Sequence, residues 1–532
     1  MLLQLRHLTC RNVDTSFFNI FRHYARAVAN ARRKEKPATD APSQKNGIPI
    51  IVCKKKMFNF YKGDRFTNNT SELASHQWKH GTTKGDYFCI YPYNVGDIQG
   101  NDESDIETFR ELQFNPTLCD NLERLGVEKP LEIQQLGIPK IMQGYNTLLA
   151  AETGCGKTIA YLLPLIMKIL KWKEIENRNL NTPLGLIVTP SRELAVQIAL
   201  ELIKLSKHLD IKTKMITGGR TKKLILDPPV GQVDILVCSF GVISKLSTLG
   251  VYNLQSVRFV VLDEADALFH HTFEDKLRVF MKRLSIGHYQ EPSKNEIPST
   301  SQLIMTSATI PSRLEAVLDD VVDPKSVEHV TTEKLHKILV PQKFMRLIPS
   351  QKPVELLKYI KPKALKKQRT IVFSNNNGTS YWLAMFLNEC GIKCTNLHGD
   401  MALHERRGKY GEFINGKTTV LSTTNGGSRG LDTVMVNHIL NYDFPLDTAD
   451  YIHRCGRTGR VGTIGDSKVT NFISTQGQAI VVQKIERATR KMQPIPIFNL
   501  TQSADEEEEA ETQNAYADPM IYDFDKAPNI PY

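Results

Sequence analysis

Two α/β domains in tandem, each a parallel sheet flanked by helices, are what this chain predicts, and three observations carry the prediction. Short apolar runs alternate with helical segments twice over, and the alternation pauses once, near residues 323–343. An apolar run at 259–262 ends in Asp263-Glu264-Ala265-Asp266, downstream of a glycine-rich loop at 151–158. Strands alternating with helices imply a parallel sheet covered on both faces. At 532 residues the chain is too long for one core and fits two ordinary domains with extensions.

From the amino terminus, residues 1–36 predict a targeting leader. No acid occurs between Thr15 and Lys34, while Arg22, Arg26, Arg32, Arg33 and Lys34 supply charge. Phe17, Ile20, Phe21, Tyr24 and Val28 recur at three- and four-residue spacing, which makes a basic amphipathic helix, the signature of a mitochondrial transit segment. Residues 37–105 are polar and aperiodic, with a basic cluster at Lys54, Lys55 and Lys56, and predict an irregular basic extension.

The first domain is expected over 106–325, with strands at 146–150, 185–189, 212–217, 234–238, 259–262 and 303–306. Helices are expected between them, as at 159–173 and 193–205, and the polar stretch 287–301 predicts an exposed loop. After a linker over 326–345, a second domain over 346–498 carries strands at 370–373, 394–397, 419–422, 438–442 and 469–473. Residues 499–532 form an acidic tail expected to be disordered, with nine acids against Lys526 alone. That tail nets −8, so the preceding body holds +19 of a whole-chain +11, a balance suited to a polyanion.

No stretch approaches 18 uninterrupted apolar residues, so no membrane span is expected. Nine scattered cysteines without a C-x-x-C pair argue against a zinc site or a disulfide framework and favour a reducing compartment. The pair His270-His271 lacks acid or cysteine partners at ligand spacing and reads as the solvated start of a helix.

The glycine-rich loop runs from a strand directly into a helix. Gly154 and Gly156 remove side chains so that backbone N–H groups can close on phosphates at the helix start. Lys157 would reach the β/γ-phosphates, and the Thr158 hydroxyl would ligate magnesium. Asp263, at a strand end, is placed to hold that ion through water, and Glu264 suits a base for the attacking water. ATP with Mg²⁺ is the implied pair, and the chain reads as an ATPase.

The order of the remaining segments resembles the DEAD-box RNA helicases over about two thirds of the chain. Gln134, within Gly126-Val127-Glu128-Lys129-Pro130-Leu131-Glu132-Ile133-Gln134, resembles the residue reading the adenine edge, and Phe109 the isolated upstream aromatic. The loop residues Ala151, Glu152, Thr153 and Cys155 complete the nucleotide set, with Asp432 expected at the ribose. Pro190, Ser191, Arg192, Gly218, Gly219, Arg406 and Thr424 are similar to residues gripping an RNA backbone, and Ser307-Ala308-Thr309 to the segment coupling hydrolysis to strand separation. His453, Arg457 and Arg460 lie in a full match to the last motif, the two arginines as fingers reaching across a domain cleft. The resemblance implies two tandem RecA-like domains and an RNA-dependent ATPase, with an ATP-gated RNA clamp of little unwinding power as the alternative. A DNA helicase of the same superfamily fits the Gln134 segment and the 190–194 segment less well.

Several positions depart from the family. Val127 stands where many members carry an aromatic, Ser239-Phe240-Gly241-Val242 replaces a segment ending in a phosphate-contacting arginine, Leu403 replaces glutamine, and Asn425 replaces aspartate. These changes fall mainly on the expected RNA side. The segments Lys334-Leu335-His336-Lys337-Ile338, Gln483-Lys484-Ile485-Glu486 and 73–79 resemble the mitochondrial branch implicated in large-subunit ribosome assembly. The expected partners are therefore ribosomal RNA and mitochondrial large-subunit assembly proteins, in the matrix, with the nucleus or nucleolus as the alternative. The resemblance implies a monomer.

Overall fold

The computed structural model describes residues 50–59, 70–79, 83–92 and 108–500, apart from 176–178, 219–220, 228–229, 270–272, 288–296, 312–313, 333–334, 338–339, 429–430, 432, 434, 460–465 and 492. The leader, the acidic tail beyond Leu500, the histidine pair, Gly219, Asp432 and Arg460 lie outside the described residues.

Among the described residues fifteen strands run in chain order: β1 (Ile50–Cys53), β2 (Tyr87–Tyr91), β3 (Thr147–Ala150), β4 (Gly185–Thr189), β5 (Thr213–Ile216), β6 (Ile235–Ser239), β7 (Phe259–Leu262), β8 (Gln302–Ser307), β9 (Glu328–Thr331), β10 (Gln342–Arg346), β11 (Thr370–Phe373), β12 (Cys394–Leu397), β13 (Val420–Thr423), β14 (His438–Asn441) and β15 (Lys468–Ile473). They form a seven-stranded sheet, β5-β6-β4-β7-β8-β3-β9, and an eight-stranded sheet, β1-β2-β10-β15-β14-β11-β13-β12. Every pairing in the first sheet is parallel.

The central strands are buried along their whole length, as parallel strands covered by helices on both faces must be. The two-residue period sorts their side chains. Leu149 joins the apolar cluster on one face, with Ile166 and Ile187, while Leu148 joins the other, with Val188 and Val260. The helices Lys157–Ile175 and Arg192–Leu205 cover the first of these faces.

Two expectations need correction. The segment read as an irregular extension supplies β1 and β2, and β2 pairs antiparallel with β10 of the second sheet. Its apolar payload explains the docking: Phe88 stacks on Phe344 at 5.0 Å and meets Trp78 at 5.4 Å, all three fully buried. Ala74 and Ser75 donate backbone N–H groups to the two oxygens of Glu486 at 2.8 and 2.9 Å, and Arg490 pairs with the same carboxylate at 2.7 Å. The linker expected over 326–345 is also shorter, because β9 and β10 occupy its two ends and leave 332–341 between the sheets. Val330 alone of β9 is buried, so an edge strand of this kind lacks the apolar run that announces a strand.

Candidate nucleotide cleft and RNA face

Gly154 and Gly156 adopt φ of 90° and 89°, turning the chain from β3 into the helix Lys157–Ile175. A side chain at Gly156 would stand 2.4 Å from Gln134 Nε2, so the close approach also demands glycine. The Gln134 amide explains the crowding: its Nε2 donates to the Gly156 carbonyl at 3.1 Å, while its Oε1 accepts from Leu131 N at 2.8 Å. Gln134 therefore braces the phosphate loop from behind. Phe109 is buried in the first domain's core with Phe114 and Ile133. Lys157 Nζ donates to the carbonyls of Ala151 and Glu152 at 2.6 and 2.8 Å, holding the amine over the loop. Burial pushes the Cys155 thiol up, so this cysteine is an inert spacer.

Asp263 directly follows β7 and is held on three sides. Tyr161 donates its hydroxyl at 2.9 Å, Thr306 donates another, and Glu264 N donates at 2.9 Å. Tyr161 lies four residues beyond Lys157, on the same helix face, so one helix supplies both. Burial raises the Asp263 carboxyl above its ordinary range, and the Glu264 charge adds to this. An almost sealed carboxylate of this kind fits a hard divalent cation, and Thr158 lines the same cleft as Asp263. Glu264 sits at φ 52°, in the left-handed region that a side-chain-bearing residue enters at a cost. One of its oxygens, Oε2, is buried without a hydrogen-bond partner, a vacant acceptor inside the cleft.

The second domain closes this cleft. Its helix Thr448–Cys455 and the turn that follows bring Arg457 to 3.7 Å from Glu264 and His453 to 3.0 Å from Asp266. Burial opposes charge on His453, yet Asp266, aided by Glu264, outweighs it and lifts the imidazole above its ordinary value. Asp266 Oδ2 also lies 3.3 Å from Ala308 N and 3.2 Å from the Thr309 hydroxyl. Ser307 in turn accepts from Ala151 N at 3.1 Å. The segment 307–309 is thus bonded to the phosphate loop on one side and to the cross-cleft pair on the other. The cleft has a volume of about 230 Å³, with Lys157, Thr158, Asp263, Glu264, His453 and Arg457 among its lining.

On an adjoining face, Ser191 caps the helix Arg192–Leu205, and the Arg192 guanidinium lies against Gly218. Pro190 is half-buried beside them. From the second domain, Arg406 pairs with Glu193 at 3.2 Å, and the Thr424 hydroxyl meets Asn377. Burial lowers the Arg406 pKa, partly offset by Glu193. One departure from the family, the segment 239–242, is explained by packing. Phe240 sits edge-on to Phe273 and Phe280, and Val242 is 3% exposed in the same cluster, so this segment faces the core. Asn425, next to Thr424 in the second domain, bridges Arg454 to Asp450.

Sequence reasoning missed Asp266 as a cross-cleft partner, Glu193 as the partner of Arg406, and the pair Tyr161 and Thr306 that orients Asp263. The i, i+4 spacing of Lys157 and Tyr161 was the one available signal.

A phosphate loop, a buried Asp263 beside a half-buried Glu264, and an arginine brought to that pair by the second domain are the parts of a nucleoside-triphosphatase. The DEAD/DEAH box helicase domain matches residues 131–317 and the helicase conserved C-terminal domain 351–462. Probable ATP-dependent RNA helicase DDX28 of Mus musculus is 33% identical over 437 residues, covering 80% of this chain and 81% of that protein. The Homo sapiens protein of the same name is 32% identical over 436 residues, at 80% and 81% coverage. Mss116p solved with single-stranded RNA and AMP-PNP shares the fold at TM-score 0.59 and 22% identity, covering 73% of this chain and 78% of that one. The chain belongs to the DEAD-box ATP-dependent RNA helicases.

Proposed function

We propose that this helicase uses ATP binding to close its two domains on an RNA strand and uses hydrolysis to let go. The observation that carries the reading is the pair of contacts across the cleft, Arg457 to Glu264 and His453 to Asp266. Lys157 and the loop N–H groups bind the β/γ-phosphates, and Glu264 positions and deprotonates the attacking water. Arg457, with Arg460 beyond the described residues, meets the charge on the transferring phosphoryl group. Magnesium, held by Thr158 and through water by Asp263, would neutralise charge between the phosphates. Since the arginine arrives only with the second domain, turnover is tied to closure.

Ser191, Arg192, Gly218, Arg406 and Thr424 grip phosphates from both domains, a sequence-tolerant and salt-sensitive mode. A strand bent by that grip no longer fits a duplex, so its partner is shed locally. The buried Val242 leaves the first domain one cation short at this face, which favours local remodelling, and it gives weight to a second reading as an ATP-gated clamp.

The basic leader and the 73–79 and 334–338 segments support a mitochondrial enzyme acting on large-subunit ribosomal RNA during assembly. ATP turnover of protein lacking residues 1–36, with and without single-stranded RNA, tests the cycle beside Glu264→Gln. RNA-stimulated turnover that falls by about 10²–10⁴-fold in the variant supports the assignment; turnover indifferent to RNA, or to the variant, refutes it. A reporter fused to residues 1–36 that stays in the cytosol refutes the location.

A further inference from the structure

A second cavity of the first domain is somewhat larger than the nucleotide cleft. It lies at the opposite pole of the first domain, has a volume of about 280 Å³, and opens beside the amino-terminal ends of β7 and β8. Met142, Met167 and Trp172 make its apolar wall, and Lys168, Lys171 and Arg258 contribute three cations. No carboxylate lines it among the described residues. An apolar pocket with several cations and no counter-charge is the complement of an anion that has an apolar body.

The polar groups are built into place. Lys168 Nζ donates to the Ile141 carbonyl at 2.8 Å and to Gln302 Oε1 at 2.7 Å, with its amine 6.0 Å from the Trp172 ring. The Arg258 NH1 group is fixed on the carbonyls of Gln255 and Val257, while its Nε is buried without a hydrogen-bond partner. Burial lowers Lys168 to about 7, and a bound anion would hold it charged.

The position matters as much as the chemistry. Lys168 is on the helix that begins at Lys157, eleven residues or about 17 Å away. Gln302 starts the strand that ends at Ser307, about 17 Å away. Ile141 is on the helix that begins beside Gln134, and Gln302 Nε2 binds its carbonyl at 3.0 Å. The back ends of three elements whose front ends form the nucleotide cleft therefore meet at this one hydrogen-bonded knot.

We propose that this cavity is a second ligand site, taking a small amphipathic anion such as an aromatic carboxylate, and that its occupation is felt at the nucleotide cleft through those three elements. The anion binds Arg258 and Lys168, and its ring lies against Trp172. Drawing Lys168 from Ile141 and Gln302 loosens the back of the phosphate-loop helix.

The test uses the full chain with 4-iodobenzoate, whose heavy atom quenches indole emission. Of the three tryptophans only Trp172 lines the cavity, while Trp78 and Trp382 pack in the second domain. Saturable quenching is expected, lost in Trp172→Phe, weakened about tenfold or more by Arg258→Gln, and weakened as much with neutral 4-iodobenzamide. At saturation the KM for ATP shifts by about fivefold or more. Quenching that stays linear with concentration, survives Arg258→Gln, or is matched by the amide overturns the site. Saturable binding with an unchanged KM overturns the coupling.

Discussion

Replacing Asp266 with asparagine tests whether closure depends on the cross-cleft pair. His453 and Asp266 meet at 3.0 Å with side chains 14% and 4% exposed, so the contact is largely sealed from water. Truncating one partner of such a charge pair costs about 2–4 kcal/mol, or roughly 30- to 700-fold in the closing equilibrium. The asparagine is also poorly suited to Ala308 N and the Thr309 hydroxyl, which both face Oδ2, so the coupling segment loses its anchor as well. The contribution depends on pH in a definite direction. His453 has a raised pKa when closed, so its stabilisation is fully present below the ordinary histidine value of about 6.5 and is lost as pH rises through the raised one. Anisotropy of a labelled single-stranded RNA, titrated with protein and a non-hydrolysable ATP analogue between about pH 6 and 8, reads the effect. Wild-type affinity should weaken with pH, whereas Asp266→Asn should bind more weakly by the stated factor and show a flat profile. A variant that binds as tightly as wild type, or a flat wild-type profile, refutes the reasoning.

Val242→Arg should not restore RNA affinity, because it forces a charge into the Phe240 cluster; thermal melting should show a loss of more than about 3 kcal/mol in the first domain. Glu486→Ala should free the segment 70–79 by removing the carboxylate that the Ala74 and Ser75 N–H groups and the Arg490 charge share, a loss of about 3–5 kcal/mol followed by Trp78 emission. Gly156→Ala should raise the KM for ATP while leaving the melting temperature of the second domain unchanged, since its Cβ displaces Gln134 from the phosphate loop.

What could be read from the sequence was what is local. The apolar runs at 185–189 and 259–262 declare central strands because burial on both faces leaves no polar alternation, and the phosphate loop declares itself by its glycines. β9 and β10 do not declare themselves: each has polar or charged side chains around one or two buried residues, and its pairing is decided by a strand distant in sequence. Asp266 with His453, and Glu193 with Arg406, are invisible for a related reason. Each pair exists only when two separately folded units take one relative orientation, which no periodicity encodes. Val242 was legible as a missing cation but not as a core residue, because it is buried in a cluster drawn from segments distant in sequence, Phe280 and Leu318 among them.

The strap formed by β1 and β2 reverses the order of construction. During synthesis these strands emerge first, yet the partner of β2 is β10, about 250 residues later. At about 5–20 residues per second the nascent chain carries Tyr87-Phe88-Cys89-Ile90-Tyr91 without its sheet for roughly 12–50 s. The first domain can complete itself in that interval, so it is in effect an insertion within the fold of the second. A chain terminated after β9 would then display a folded nucleotide-binding half trailing an unmatched, β-prone apolar segment, and self-association is its expected fate.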